Sequence, residues 1–283
     1  MASAIILRTM NALTADTLIR LTNRFYRQQA SSFSATRKNP WPGWERLADF
    51  LESHAGALLA GADSPSGSST CDSERPASLL DLGCGNLRFE RFLRRRFPHT
   101  DIDVYAVDNC PLLMKGGESE DWMPHFQELD IASVLSGGEE ALAERLEAPV
   151  CDLAVCFGVM HHIPGFDRRR ALIRGLVSQT RSGGLVAISF WRFMSSDVLA
   201  EKARALQAHA LADVGLSSED LDRGDYLLGW QGRQGAYRYC HHFEAAEIQA
   251  LVDEVSDAAF PVDRYCADGR TGSLNAYVVL RVR

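Results

Sequence analysis

Residues 78–86 read Ser-Leu-Leu-Asp-Leu-Gly-Cys-Gly-Asn, an apolar run that ends in a glycine turn. At the carboxyl edge of a parallel sheet, such a strand-to-helix junction receives a nucleotide-like ligand. Gly83 and Gly85 permit backbone conformations and a close ligand approach that other residues resist. A second acid, Asp108, closes the next apolar run, Tyr105-Ala106-Val107-Asp108. A carboxylate there can accept hydrogen bonds from both hydroxyls of a ribose. A third acid, Asp130, closes Gln127-Glu128-Leu129-Asp130, where it could accept from an adenine amino group. The run Val155-Cys156-Phe157 then leads through Gly158-Val159-Met160 to His161-His162 at the same edge. A dinucleotide fold shares the first two features. Its fingerprint requires glycine or alanine where this chain has Arg88, and a diphosphate needs a clear helix N-terminus.

Those residues need a scaffold. Strand and helix patterns alternate from residue 78: strands at 78–82, 104–108, 126–130, 152–157 and 185–191, with helices at 86–97, 139–147 and 167–180. Residues 110–115 start another helix, and Gly183-Gly184 is the stop signal after 167–180. The alternation predicts a doubly wound parallel α/β sheet. Ahead of it, 12–30 is a helix with Leu13, Leu18, Leu21 and Phe25 on one stripe and Thr14 or Asp16 as cap. A stiff stretch with Pro40 and Pro42 leads to a second helix at 44–60. Residues 61–76, rich in Ser, Gly, Asp and Pro, form a linker or insertion. Near the end, 242–254 is helical and 275–281 is a strand. The chain therefore divides into an N-terminal helical segment (1–60), the linker (61–76) and the nucleotide-binding domain (77–283). An insertion for substrate recognition lies at about 192–242.

Composition bounds the function classes. With 46% hydrophobic residues in 283, a sizeable core is available and global disorder is excluded. No apolar run reaches the ~18 residues of a membrane span, and the first ten residues lack a signal-peptide pattern. A cytoplasmic protein without membrane contact is expected. The seven cysteines include no CxxC pair, so reduced buried thiols are expected, without a disulfide framework or bound metal. A net charge of −7 does not mark a nucleic-acid binder, yet residues 1–46 hold seven basic residues against two acids. Arg94, Arg95 and Arg96 are expected on a solvated helix face.

The set Asp81-Leu82-Gly83-Cys84-Gly85, Asp108, His161-His162 and the Gly-Gly before the fifth strand resembles class I S-adenosylmethionine (SAM)-dependent methyltransferases over about 78–191. The resemblance implies a Rossmann-like, seven-stranded, mostly parallel sheet with an N-terminal helical extension. It also implies SAM as cofactor. Asp81, Gly83 and Gly85 would line its methionine end, Asp108 would hold its ribose and Asp130 its adenine, with Cys84, Asn86, Asn109 and Phe157 as further cofactor-binding residues. Leu87 stands where the family usually has glycine.

A narrower resemblance runs through Phe33-Ser34-x-Thr36-Arg37 with Trp41-Pro42, then Gly224-Asp225 with Trp230, then Tyr237-Arg238-Tyr239-Cys240-His241. This pattern is similar to the tRNA wobble-uridine carboxymethyl methyltransferases, including AlkB-homologue fusion proteins and bacterial relatives. Members commonly have Tyr-Tyr-His where this chain has Tyr239-Cys240-His241. The resemblance implies tRNA as a partner and a small zinc-containing activator subunit.

A carboxylate acceptor is already an anion at neutral pH and needs no base. Arg37 and Arg238 could grip it through bidentate guanidinium contacts. Trp41, Tyr237 and Tyr239 could stack on a base drawn from a loop. A hydroxyl or amine acceptor would need a base, and His161 and His162 sit where one is expected, His161 being the candidate catalytic residue. Against this, either histidine could turn inward and serve the backbone. A small-molecule or protein methyltransferase and a non-catalytic SAM-binding scaffold remain the alternatives.

Overall fold

A computed structural model describes residues 10–54, 76–116 and 122–283. Strand β1 (Ala77–Leu82) is buried at every position, as a strand covered on both faces must be. Its alternate side chains feed two cores. Leu80 and Leu82 pack in one cluster with Leu172, Leu176 and Leu251, while Leu79 packs in the other with Leu47, Phe89 and Leu93. That period of two makes a three-layer molecule.

The remaining strands are β2 (Ile102–Asp108), β3 (His125–Glu128), β4 (Cys151–Cys156), β5 (Thr180–Trp191), β6 (Asp225–Trp230), β7 (Arg233–His241), β8 (Ala259–Ala267) and β9 (Asn275–Val282). The main sheet has seven strands in the order β3-β2-β1-β4-β5-β9-β8. Pairing is parallel from β3 to β5, and β9 runs antiparallel to both β5 and β8. The order reverses between β1 and β4, the switch point where doubly wound sheets hold ligands. The expected Rossmann-like, mostly parallel seven-stranded sheet is what forms. Strand β8 was not anticipated, and β6 and β7 form a separate antiparallel pair.

The helices are α1 (Ala12–Ala35), α2 (Pro42–His54), α3 (Arg88–Arg96), α4 (Ile131–Val134), α5 (Gly138–Arg145), α6 (Phe166–Ser178), α7 (Asp197–Val214) and α8 (Ala245–Asp253). Helix α1 is longer than its pattern indicated. Asn11 caps it, accepting from Leu13 N at 2.8 Å, and Thr14 and Asp16 lie inside it. Leu13 is exposed and leaves the stripe to Leu18, Leu21 and Phe25. Where a helix was expected to start at 110–115, the chain makes a short 3-10 turn, Pro111–Gly116. The expected linker at 61–76 lies outside the described residues except for Pro76.

Gly183-Gly184 does not stop a helix. Helix α6 ends at Ser178, and the glycines sit within β5, where the register jumps from Cys151↔Thr180 to Leu153↔Leu185. A Cβ on Gly184 would lie 2.7 Å from the Asp152 carbonyl, so the bulge needs glycine there. Asp130 likewise does not end β3. It caps α4, accepting from Ser133 N at 3.2 Å and from Ser133 Oγ at 2.6 Å. Arg96 does more than face solvent, since it pairs with Asp49 and Glu52 of α2 at 3.1 and 2.6 Å.

A satellite core joins α1, α7 and the β6–β7 hairpin through Leu18, Leu21, Leu211, Leu227, Tyr237 and Tyr239. It brings the N-terminal helix and the inserted hairpin together beside the main sheet. Among the described residues, no helix is long and apolar enough to cross a membrane.

Candidate active site

The carboxyl ends of β1, β2 and β4 open onto a cavity of about 980 Å³. Helix α1, the link from Thr36 to Trp41, and Trp230 and Arg238 of the hairpin complete its wall. Its size is that of a small-molecule site.

The turn after β1 is shaped for close approach. Gly83 has φ +90°, and a Cβ there would lie 1.9 Å from Val159 Cγ2. Leu87 also takes a left-handed conformation, φ 56°, at the cap of α3. Asp108 closes β2 and accepts from Gly85 N at 2.9 Å and Cys110 N at 2.8 Å. Burial raises its carboxyl to about 6, and those backbone donors hold the rise in check. Asn109 and Asp130 are linked across α1. Asn109 Nδ2 donates to Asn23 Oδ1, and Asn23 Nδ2 donates to Asp130 Oδ2, both at 2.6 Å.

Asp81, Gly83, Cys84, Gly85, Asn86, Asp108, Asn109, Asp130 and Phe157 all line the cavity. So do Arg37, Trp41, His161 and Arg238. Tyr237 and Tyr239 do not. Tyr237 donates to Asp213 Oδ2 at 2.7 Å. Tyr239 is fully buried and donates to Asp225 Oδ1 at 2.7 Å. Both rings belong to the satellite core and cannot stack on a ligand base. Asn23, Tyr26 and Trp230 are among the cavity residues that the sequence reading did not place in the site. Trp230 sat in a motif already noted, but nothing in its spacing showed which way it faces.

The two histidines separate clearly. His162 Nδ1 lies 2.7 Å from the Tyr239 carbonyl and Nε2 lies 2.8 Å from the Tyr26 hydroxyl. A carbonyl only accepts, so Nδ1 carries the proton and Tyr26 donates to Nε2. Burial pushes the imidazole down to about 3. His162 is thus held by the scaffold. His161 is buried, its Nδ1 has no hydrogen-bond partner among the described residues, and its ring lies tilted with its centroid 4.9 Å from that of Trp191. Burial, then the His162 ring and two arginines, hold it well below the ordinary range, so it is neutral at pH 7.

Arg37 and Arg238 converge on Trp230, at 5.6 and 5.5 Å from its ring centroid. Arg37 also lies 3.4 Å from the Phe33 centroid and donates to Thr36 Oγ1 at 2.8 Å. Arg238 lies 4.9 Å from the Phe25 centroid and donates to the Gly229 carbonyl at 3.4 Å. Among the described residues neither guanidinium pairs with a carboxylate. Burial lowers Arg37 to about 10, and the Arg238 charge adds to the fall.

Residues 58–255 match the family model described as a methyltransferase domain. The chain belongs to that family. This methyltransferase has the class I fold, and SAM is its cofactor. The Gly83 cradle, the Asp108 carboxylate at the carboxyl end of the neighbouring strand β2 and the cavity volume fit a nucleoside bearing an amino acid.

Over 190 residues the methyltransferase is 25% identical to the mouse (Mus musculus) tRNA (carboxymethyluridine(34)-5-O)-methyltransferase ALKBH8, covering 67% of this chain and 22% of that protein. The same enzyme of Macaca fascicularis is 26% identical, over 66% and 22%. The chain thus spans about a fifth of the length of these relatives. A SAM-dependent methyltransferase from Methanosarcina mazei shares the fold with TM-score 0.52 and 14% identity, over 74% of this chain and 92% of that one. One from Clostridium acetobutylicum does so with TM-score 0.51 and 11% identity, over 92% and 98%.

Proposed function

We propose that this methyltransferase esterifies a carboxylate, that of a 5-carboxymethyl-type uridine in tRNA. The observation that carries the reading is the pair Arg37 and Arg238. Both guanidiniums line the cavity beside Trp230 without a carboxylate partner among the described residues. One of these guanidiniums is buried and the other half-buried, their like charges repel, and an anion placed between them relieves both. A carboxylate matches the planar fork of a guanidinium. Trp230 and Trp41 also line the cavity and offer faces on which a uracil ring can stack.

SAM supplies a methyl group made electrophilic by the sulfonium to which it is attached. The chain's own residues have to hold the acceptor oxygen in line with that methyl and keep water away. No base is required of them, because the acceptor is ionised at neutral pH. A neutral, weakly basic His161 suits such a site better than one that must deprotonate a hydroxyl or amine. The likeness to the ALKBH8 enzymes supports the same acceptor.

Bulk tRNA incubated with labelled SAM tests the reading, with and without a small zinc-containing activator from cell extract. The expected product is a methyl ester on a modified uridine, found by nucleoside analysis. Label on a protein or small molecule, with none on tRNA in either condition, would replace this acceptor.

A further inference from the structure

Glu90 is an acid where the fold leaves no place for one. It lies on the inner face of the arginine-rich helix α3, 1% exposed. Its carboxyl lies against that of Asp81, which is 3% exposed and lines the cavity. Asp81 Oδ1 and both Glu90 carboxylate oxygens are buried and meet no well-aligned donor among the described residues, while the two carboxyls lie within hydrogen-bonding reach of each other.

The charged groups around the pair do not balance it. Asp108 on β2 is a further negative charge, and Cys84 of the turn and Cys156 of β4 are thiols kept neutral by burial. Arg91, on α3 itself, is the nearby cation, and its Nη2 donates to the Asn86 carbonyl. Two carboxylates buried side by side cannot both stay ionised at ordinary cost. Burial and mutual repulsion raise Asp81 well above the ordinary range, and burial raises Glu90.

Asp81 is the member of the pair that reaches the ligand. An amino-acid nucleoside carries one group able to replace a proton there, its ammonium. We propose that Asp81 and Glu90 share one proton in the free protein and release it to solvent when the ligand's ammonium seats at Asp81. Cofactor binding is then coupled to proton release, and Glu90 acts as a positioning residue that sets the charge of Asp81. The inference rests on the cofactor assignment and not on the acceptor.

The coupling is read without turnover. Calorimetry near neutral pH in buffers of different ionisation enthalpy counts the protons exchanged on binding. S-adenosylhomocysteine carries the ammonium, whereas 5′-methylthioadenosine carries the same ribose and base without it. Asp108 meets both ligands, so any proton that it loses is common to the two. The homocysteine ligand is expected to release more protons, by up to one. Its affinity should tighten as pH rises, by at most about tenfold per unit. In Glu90→Gln the amide can donate to Asp81, and the difference between the two ligands should vanish.

Equal release by the two ligands in the native protein would overturn the proposal, whatever the fate of the variant. So would an undiminished difference in folded Glu90→Gln. Tight binding without proton exchange would sink the coupling alone. No binding of S-adenosylhomocysteine would sink the cofactor assignment along with it.

Discussion

Asn86 Nδ2 donates to the Arg37 carbonyl at 3.1 Å, tying the end of the glycine turn to the start of the α1–α2 link. The cofactor loop and the proposed acceptor grip are thereby one piece of structure, although 49 residues separate them in sequence. The contact uses the Arg37 backbone, so the guanidinium can be removed without cutting the tie.

Arg37→Ala should therefore lower kcat/KM for the acceptor about 30-fold or more, the usual scale for truncating one partner of a buried charge contact. SAM affinity should stay within a few-fold. Steady-state kinetics beside equilibrium SAM binding measures both. An equal loss in the two would place Arg37 on the cofactor.

Tyr239→Phe keeps the ring and loses the hydroxyl that donates to Asp225 at 2.7 Å. The variant should lose about 1–3 kcal/mol of stability, because a buried acceptor is left short of its donor. Its kcat should be unchanged, since Tyr239 does not reach the cavity. Denaturant titration and turnover of the same preparation test the split.

Leu87 sets two effects against each other. Its left-handed backbone costs about 1–2 kcal/mol for a non-glycine residue. Its side chain is 7% exposed, and that burial contributes about 1.5–3 kcal/mol. Burial wins, so Leu87→Gly should be destabilised by roughly 1 kcal/mol despite its relaxed backbone. A rise in the denaturation midpoint would show that strain is the larger effect.

Glu90 also makes a stability prediction. A carboxyl raised in the folded state favours folding while protonated. That contribution is lost as pH climbs from the ordinary carboxylate range towards neutrality. Glu90→Leu should consequently gain on the native protein as pH rises from 5 to 8, by on the order of 2 kcal/mol. Parallel stability curves across that range would contradict the raised carboxyl.

The parallel half of the sheet was readable because β1, β2 and β4 are short apolar runs bounded by turn residues. Strand β8 was not. It carries Pro261 and lies at the edge of the sheet, so half of its residues face solvent and the apolar signal fades. The stretch 237–239 shows a different failure. Reading Tyr237, Arg238 and Tyr239 all into the site ignores that neighbours on a strand face opposite ways. Within β7, Arg238 turns to the cavity and the two tyrosines turn to the satellite core. Glu90 was invisible because an acid in a helix that also carries Arg88, Arg91, Arg94, Arg95 and Arg96 reads as surface.

The chemical stability of the transferred methyl group tests the central claim most directly. A methyl ester is cleaved by mild alkali and leaves as volatile methanol, whereas a methyl on nitrogen or in an ether stays attached. After incubation with tRNA and methyl-labelled SAM, the account predicts label that becomes volatile in mild alkali, and loss of that signal in Arg238→Ala. Label that survives the alkali would contradict a carboxylate acceptor held between Arg37 and Arg238.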